Sequence, residues 1–149
     1  MKRHLSLAIA MMMLLAAVAI TAHAQGTNSP VLRANIPFAF HVGSTQLPAG
    51  EYKVTVLNPS SDQKVLQIRS IDGRVSAMVR TLGANATATD KSKLVFHRYG
   101  DSYFFAQAQV AGNLTALAAL KSKAERSEAR MIADNTPKAN VTNVTIAAK

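Results

Sequence analysis

From Leu32 to Val42 apolar and polar positions alternate. Leu32, Ala34, Ile36, Phe38, Phe40 and Val42 share one parity, and Arg33, Asn35, Pro37, Ala39 and His41 share the other. Successive side chains of a strand point to opposite faces, so the pattern predicts a strand with its first set turned to a core. On that reading His41 faces solvent. Pro37 has no N–H to give to a ladder and marks an edge or an irregularity. Gly43 to Gly50 reads as a connection, in which Leu47-Pro48-Ala49-Gly50 suits a type I turn. Glu51 to Leu57 follows as a strand with Tyr52, Val54 and Val56 inward, and Asn58 to Asp62 as a turn.

Two hairpins follow. Val65 to Thr81 folds about Asp72-Gly73, a pair suited to the positive φ angles of a type I′ turn. With those two residues as the loop, Ser70 faces Val75, Ile68 faces Ala77 and Leu66 faces Val79. The register puts the apolar residues on one face and Arg69, Arg74 and Arg80 on the other, and a slip of one residue would bury arginines. Lys93 to Val110 folds about Gly100-Asp101, pairing Tyr99 with Ser102, Arg98 with Tyr103, His97 with Phe104 and Phe96 with Phe105. Val95, His97, Tyr99, Phe104, Ala106 and Ala108 then share one face. Leu94, Phe96, Arg98, Tyr103 and Phe105 share the other. Both faces are apolar, so this hairpin is expected to be covered on both sides, by sheet and by a helix.

Between the hairpins, Gly83 to Ser92 reads as the longest mobile loop. Ala111 to Leu120 fits strand or helix. Ser122 and Glu125 have the spacing of a capping box, which predicts a short helix from Lys123 to about Ala133. Its apolar stripe of Ala124, Met131 and Ile132 is thin, so weak docking is expected. Val141 to Ile146 adds a last strand or frays. The sum is an all-β, mainly antiparallel fold: a small sandwich or barrel of six to seven strands with one short C-terminal helix, forming a single domain over residues 31–134 with a tail over 135–149.

The first 24 residues stand apart. Lys2 and Arg3 precede an apolar run from Leu5 to Ile20, and Ala22-His23-Ala24 closes it with small residues at the first and third places before a cut. This is the pattern of a cleavable secretory signal, with Gln25 opening a mature chain whose residues 25–30 form a flexible leader. The run is short for a membrane-spanning helix, so no transmembrane anchor is expected after processing. Removing residues 1–24 from 149 leaves 125, enough for one core. Loss of Lys2 and Arg3 takes Lys plus Arg from 17 to 15 against eight acids, a net charge of +7. In a periplasmic or extracellular setting that charge points to anionic envelope polymers or lipid head groups rather than nucleic acid.

Candidate chemistry is sparse. The chain has no Cys, which removes thiol catalysis, disulfides and thiolate metal sites. Only His41 and His97 remain after the signal, with no HExxH and no clustered carboxylates, so no metal site and no cofactor are expected. There is no GxSxG and no glycine-rich phosphate loop. His97 with Asp101 is the best available base and orienter, and His97, Arg98 and Tyr99 at a hairpin tip are the candidate functional group there. Arg69, Arg74 and Arg80 form a candidate anion-binding patch, read as a loose outward cluster without acids among its paired neighbours.

Ile36-Pro37-Phe38-Ala39-Phe40, Leu47-Pro48-Ala49-Gly50-Glu51-Tyr52 and Ser92-Lys93-Leu94-Val95-Phe96-His97-Arg98-Tyr99-Gly100-Asp101 together resemble a family of short secreted bacterial β-rich proteins of unknown function. The resemblance runs from about Ala34 to Arg130 and implies export and a β-rich fold; it assigns no site residue. Separately, LPAGEYKV is similar to the turn and strand of prealbumin-like domains. The expected function is that of an exported non-enzymatic β-domain, binding or structural. A small hydrolase using His97, and a carrier of an apolar ligand in a sandwich or barrel interior, are the alternatives.

Overall fold

The computed structural model describes residues 32–135 and 141–149. The segments expected to be a signal (1–24) and a leader (25–30), residue 31, and residues 136–140 of the tail lie outside the described residues. Among the described residues the fold is all-β with one helix: β1 (Leu32–Ile36), β2 (Phe40–Val42), β3 (Thr45–Leu47), β4 (Gly50–Val56), β5 (Lys64–Ser70), β6 (Ser76–Asn85), β7 (Lys93–Tyr99), β8 (Ser102–Gln109), β9 (Thr115–Ala119), α1 (Lys123–Asn135) and β10 (Thr142–Ala147). Ten strands replace the expected six or seven, for local reasons. The first alternating run breaks at Pro37-Phe38-Ala39 into β1 and β2, the supposed connection contains β3, and the ambiguous segment becomes β9. The tail supplies β10, which pairs with β7 from Thr142–Arg98 to Ala147–Lys93.

One sheet in the order β1-β4-β5-β6-β9-β8-β2-β3 carries β7 and β10 as a branch from β8. All pairings are antiparallel except β2 with β8, joined at His41–Phe104. Strand β8 makes this branching possible. One edge is covered by β7, while its other edge serves β2 at Phe104 and β9 at Gln107 and Ala108. The sheet curls without closing into a barrel. Where β10 runs out, Arg33 N–H donates to Lys149 O at 2.8 Å and Lys149 N–H donates back to Arg33 O at 2.9 Å.

Both hairpin registers hold near their turns. Ile68 pairs with Ala77 and Leu66 with Val79, and Tyr99 with Ser102 through Phe96 with Phe105. Two details differ. Gly73 has φ of 74°, yet no described non-glycine residue has positive φ. A type I′ turn needs positive φ at both central residues, so this is not one. The tip is instead closed by Gly73 N–H on Ser70 O at 2.9 Å, and by Asp72 accepting from the Ser70 hydroxyl and from Arg74 N–H. In the second hairpin an irregularity between Val95 and Phe96 moves the pairing to Leu94–Ala108. Ala108 therefore joins the core with Leu94 and Phe96 rather than the face of His97 and Tyr99.

The core lies inside the curl. Phe40 meets Tyr52 and Phe96 edge to face at 5.2 and 5.3 Å. Tyr52, 1 % exposed, donates its hydroxyl to Pro48 O at 2.7 Å, which pins the turn before β4. The buried side chains Thr81 and Gln109 are paired as burial demands: Thr81 donates to Lys64 O, and Gln109 donates to Thr87 O and Asn113 O. The expected long mobile loop is shorter than predicted. β9 offers Gly83, Ala84 and Asn85 a partner, extending β6 through them. Gln109 then holds Thr87, and Gly112 N–H holds Thr89 O.

Candidate functional site

Three features stand out on this scaffold, and the first is the outer face of β7 and β8. His97 and Tyr99 lie two apart on β7 and share a face, on which Phe104 of β8 stands opposite His97. His41 is half-buried rather than solvent-facing: the parallel pairing of β2 with β8 lays its ring on Phe104 at 4.8 Å, and its Nδ1 is buried with no hydrogen-bond partner among the described residues. Helix α1 covers this face. Ser122 caps it, accepting from Glu125 N–H at 3.1 Å. The reciprocal half of the capping box is replaced. Glu125, only 4 % exposed, turns inward so that Oε1 lies 2.7 Å from His97 Nδ1 and accepts from the Tyr99 hydroxyl at 3.2 Å. Lys121 Nζ donates to the same phenol oxygen at 3.4 Å. Burial, followed by the charge of Glu125, raises the Tyr99 pKa above its ordinary value.

The partner of His97 is thus Glu125, 28 residues away, and not Asp101. Asp101 reaches Arg98, at 3.7 Å. The tip group splits across the ribbon: His97 and Tyr99 meet the helix, while Arg98 lies on the opposite face over the Tyr103 ring at 5.6 Å. Chemically, a carboxylate on Nδ1 fixes the imidazole orientation, as a base and orienter require. Among the described residues no hydroxyl nucleophile is bonded to His97. The apolar stripe of α1 is thin: Ala124 and Met131 are exposed, while Ile132 is half-buried beside Gly100 at the tip of the β7–β8 hairpin. Glu125 supplies the polar fastening of the helix to the sheet.

The second feature is a row of cations on the outer face of β1, β4 and β5. Arg33 stands opposite Lys53 and Lys53 opposite Arg69. The reciprocal bonds of Arg33 with Lys149 are those of a directly opposed antiparallel pair and extend the row by a fourth cation. All four are exposed. The expected patch of Arg69, Arg74 and Arg80 is arranged differently. Arg69 faces Ser76, and Arg80 lies four residues further along β6, about 13 Å away at strand rise. Arg74 sits in the turn with its Nε 3.5 Å from Asp72, an acid beside it. Arg33 and Lys53 carried the right outward parity in the sequence, but only the strand order β1-β4-β5 aligns them with Arg69.

The third feature is a cavity of about 370 Å³ at one end of the curl, opening to solvent between β1, β4, β5, β8 and β9. Leu32, Val54, Leu66, Ala108 and Leu117 line it, and Lys64 stands among them as a cation. Lys64 Nζ donates to Ser61 O at 3.1 Å.

No protein-family model, curated protein or solved structure matches the chain. Among the described residues no group of His, Cys, Asp or Glu is placed to hold a metal ion, and no helix is long and apolar enough to cross a membrane.

Proposed function

We propose that the chain is an exported, non-enzymatic β-domain that carries a single-chain apolar ligand in its end cavity. One observation carries the reading: the cavity is apolar, continuous with the core, and of about 370 Å³. Small-molecule sites span roughly 300–1,000 Å³, and this one lies near the lower end, suiting one acyl-like chain better than a two-chain lipid. Apolar surface left facing water costs about 25 cal/mol per Å² relative to its burial. A chain without disulfides has reason to fill such a space unless a ligand does so. Lys64 among the lining residues, together with the basic balance of the chain, favours an anionic head group. The N-terminal pattern supports export, and N-terminal sequencing of the secreted form is expected to start at Gln25.

The hydrolase reading is the less supported, because among the described residues no hydroxyl nucleophile is bonded to His97. The test is calorimetric titration with dodecanoate against wild type and Val110→Trp, a half-buried lining position where indole fills the space. Micromolar binding that weakens at least tenfold in the variant is expected. No binding to wild type at millimolar dodecanoate contradicts the proposal. A hydrolytic activity abolished by His97→Ala with thermal stability unchanged contradicts its non-enzymatic part.

A further inference from the structure

The cation row is a peculiar thing for a sheet to carry. Like charges directly opposite one another on neighbouring strands are destabilising, and Arg33–Lys53–Arg69 places three in register. The protein does little to relieve them. Among the described residues the ion pairs are Arg74–Asp72, His97–Glu125 and Arg98–Asp101, none of which includes a member of the row. Among the described residues the Arg33 and Lys53 side chains have no hydrogen-bond partner, and Arg69 reaches only Gly73 O, at 3.5 Å. The acids beside the row are Glu51, one row along and opposite Asn35, and Asp72 in the turn, which is paired with Arg74. Arg33, Lys53 and Arg69 line a shallow depression together with Ser70, Ile71, Asp72 and Gly73 of the adjoining turn.

We propose that this row binds a linear anionic polysaccharide with a carboxylate or sulfate on successive sugars. The cations follow the strand spacing, about 4.8 Å apart, so four of them span about 14 Å perpendicular to the strands. Such a line matches a chain of regularly spaced charges laid across the sheet. The guanidinium forks at Arg33 and Arg69 grip carboxylate or sulfate with two hydrogen bonds, and the Lys53 ammonium between them adds a point charge. The adjoining outward positions, Asn35 on one side and the Thr55–Gln67 pair on the other, carry amide and hydroxyl groups that suit sugar hydroxyls. The site is separate from the end cavity, which is lined by inward residues of the same strands.

The experiment compares wild type with Arg33→Gln/Lys53→Gln/Arg69→Gln. A control removes the same charge elsewhere, Lys91→Gln/Arg126→Gln/Arg130→Gln, at three exposed positions. Binding to polygalacturonate and dextran sulfate oligosaccharides, neutral dextran, and phosphatidylglycerol vesicles is measured at 50 and 500 mM NaCl. The expected result is binding to both anionic glycans, at least tenfold weaker in the row variant, within twofold of wild type in the control, and lost at 500 mM, where screening is short-ranged. The row variant is also expected to melt at a higher temperature than wild type at low salt, because repulsion has been removed. A single Lys53→Gln variant gives the same comparison if the triple one misfolds. Equal losses in row and control variants reduce the effect to net charge and overturn the proposal. So does binding to vesicles without binding to either glycan.

Discussion

His97 Nδ1 lies 2.7 Å from Glu125 Oε1, joining the outer face of β7 to the first turn of α1 across 28 residues. The same oxygen accepts from Tyr99, and Glu125 is among the few buried polar or charged residues. A buried carboxylate is costly unless its lone pairs are satisfied, and here two ring-bearing donors and a capped helix satisfy it. The helix is held by a polar clasp beside an apolar stripe thinner than the one surface helices usually bury.

Glu125→Ala is expected to lower stability by about 2 kcal/mol, the scale of hydrogen bonds to a charged group. It should release α1 for limited proteolysis between Lys121 and Asn135 while the sheet stays protected. Urea unfolding and mapped cleavage sites check this. Unchanged cleavage in α1 would show that the helix is held by something else.

The alkaline limb of stability should follow the buried phenols. Tyr99 and Tyr52 both have pKa values raised above 10.0, chiefly by burial, with Glu125 next for Tyr99 and Asp72 next for Tyr52. For a group raised in the folded state, the stabilisation is complete below the unfolded pKa and lost as pH rises through the folded one. Stability is therefore expected to fall above pH 10, and Tyr99→Phe to flatten part of that fall. Thermal melts from pH 8 to 12, with phenolate absorbance followed alongside, measure it. Identical pH profiles for wild type and Tyr99→Phe would contradict the assignment.

His41→Phe is expected to stabilise the fold by about 1 kcal/mol. Phenylalanine keeps the stack on Phe104 and removes the unpartnered ring nitrogen, whose burial otherwise costs on the order of 1–3 kcal/mol. A lower melting temperature for the variant would mean that His41 has a polar partner in solution.

Gly73→Ala should cost about 1–2 kcal/mol, the penalty of a side chain at left-handed φ. A Cβ there also approaches Arg69 Nη2 at 2.9 Å, so the guanidinium must swing away. Chemical denaturation reads the cost, and a neutral effect would imply that the turn changes type.

The features legible in the sequence were those fixed by neighbouring residues. The two hairpin registers followed from turn residues and alternation, and Ser122 announced the start of α1. The irregularity at Val95/Phe96 was invisible, because it arises where β8 changes neighbours from β2 to β9. His41 was misplaced for a related reason. Parity correctly put it opposite Phe40, but the parallel contact of β2 with β8 is a long-range pairing that makes the far face aromatic rather than wet. Glu125 carried a helix-capping signal that was only half of its role, since nothing local says that a carboxylate 28 residues from His97 will meet it. The cation row had the same character: each outward parity was readable, and their alignment was a property of strand order.

Whether the end cavity holds a ligand is read by native mass spectrometry of the protein purified without detergent. A fraction of molecules is expected to carry one extra single-chain lipid mass, diminished in Val110→Trp. Only the bare polypeptide mass in wild type, with no adduct after incubation with dodecanoate, would contradict the proposal.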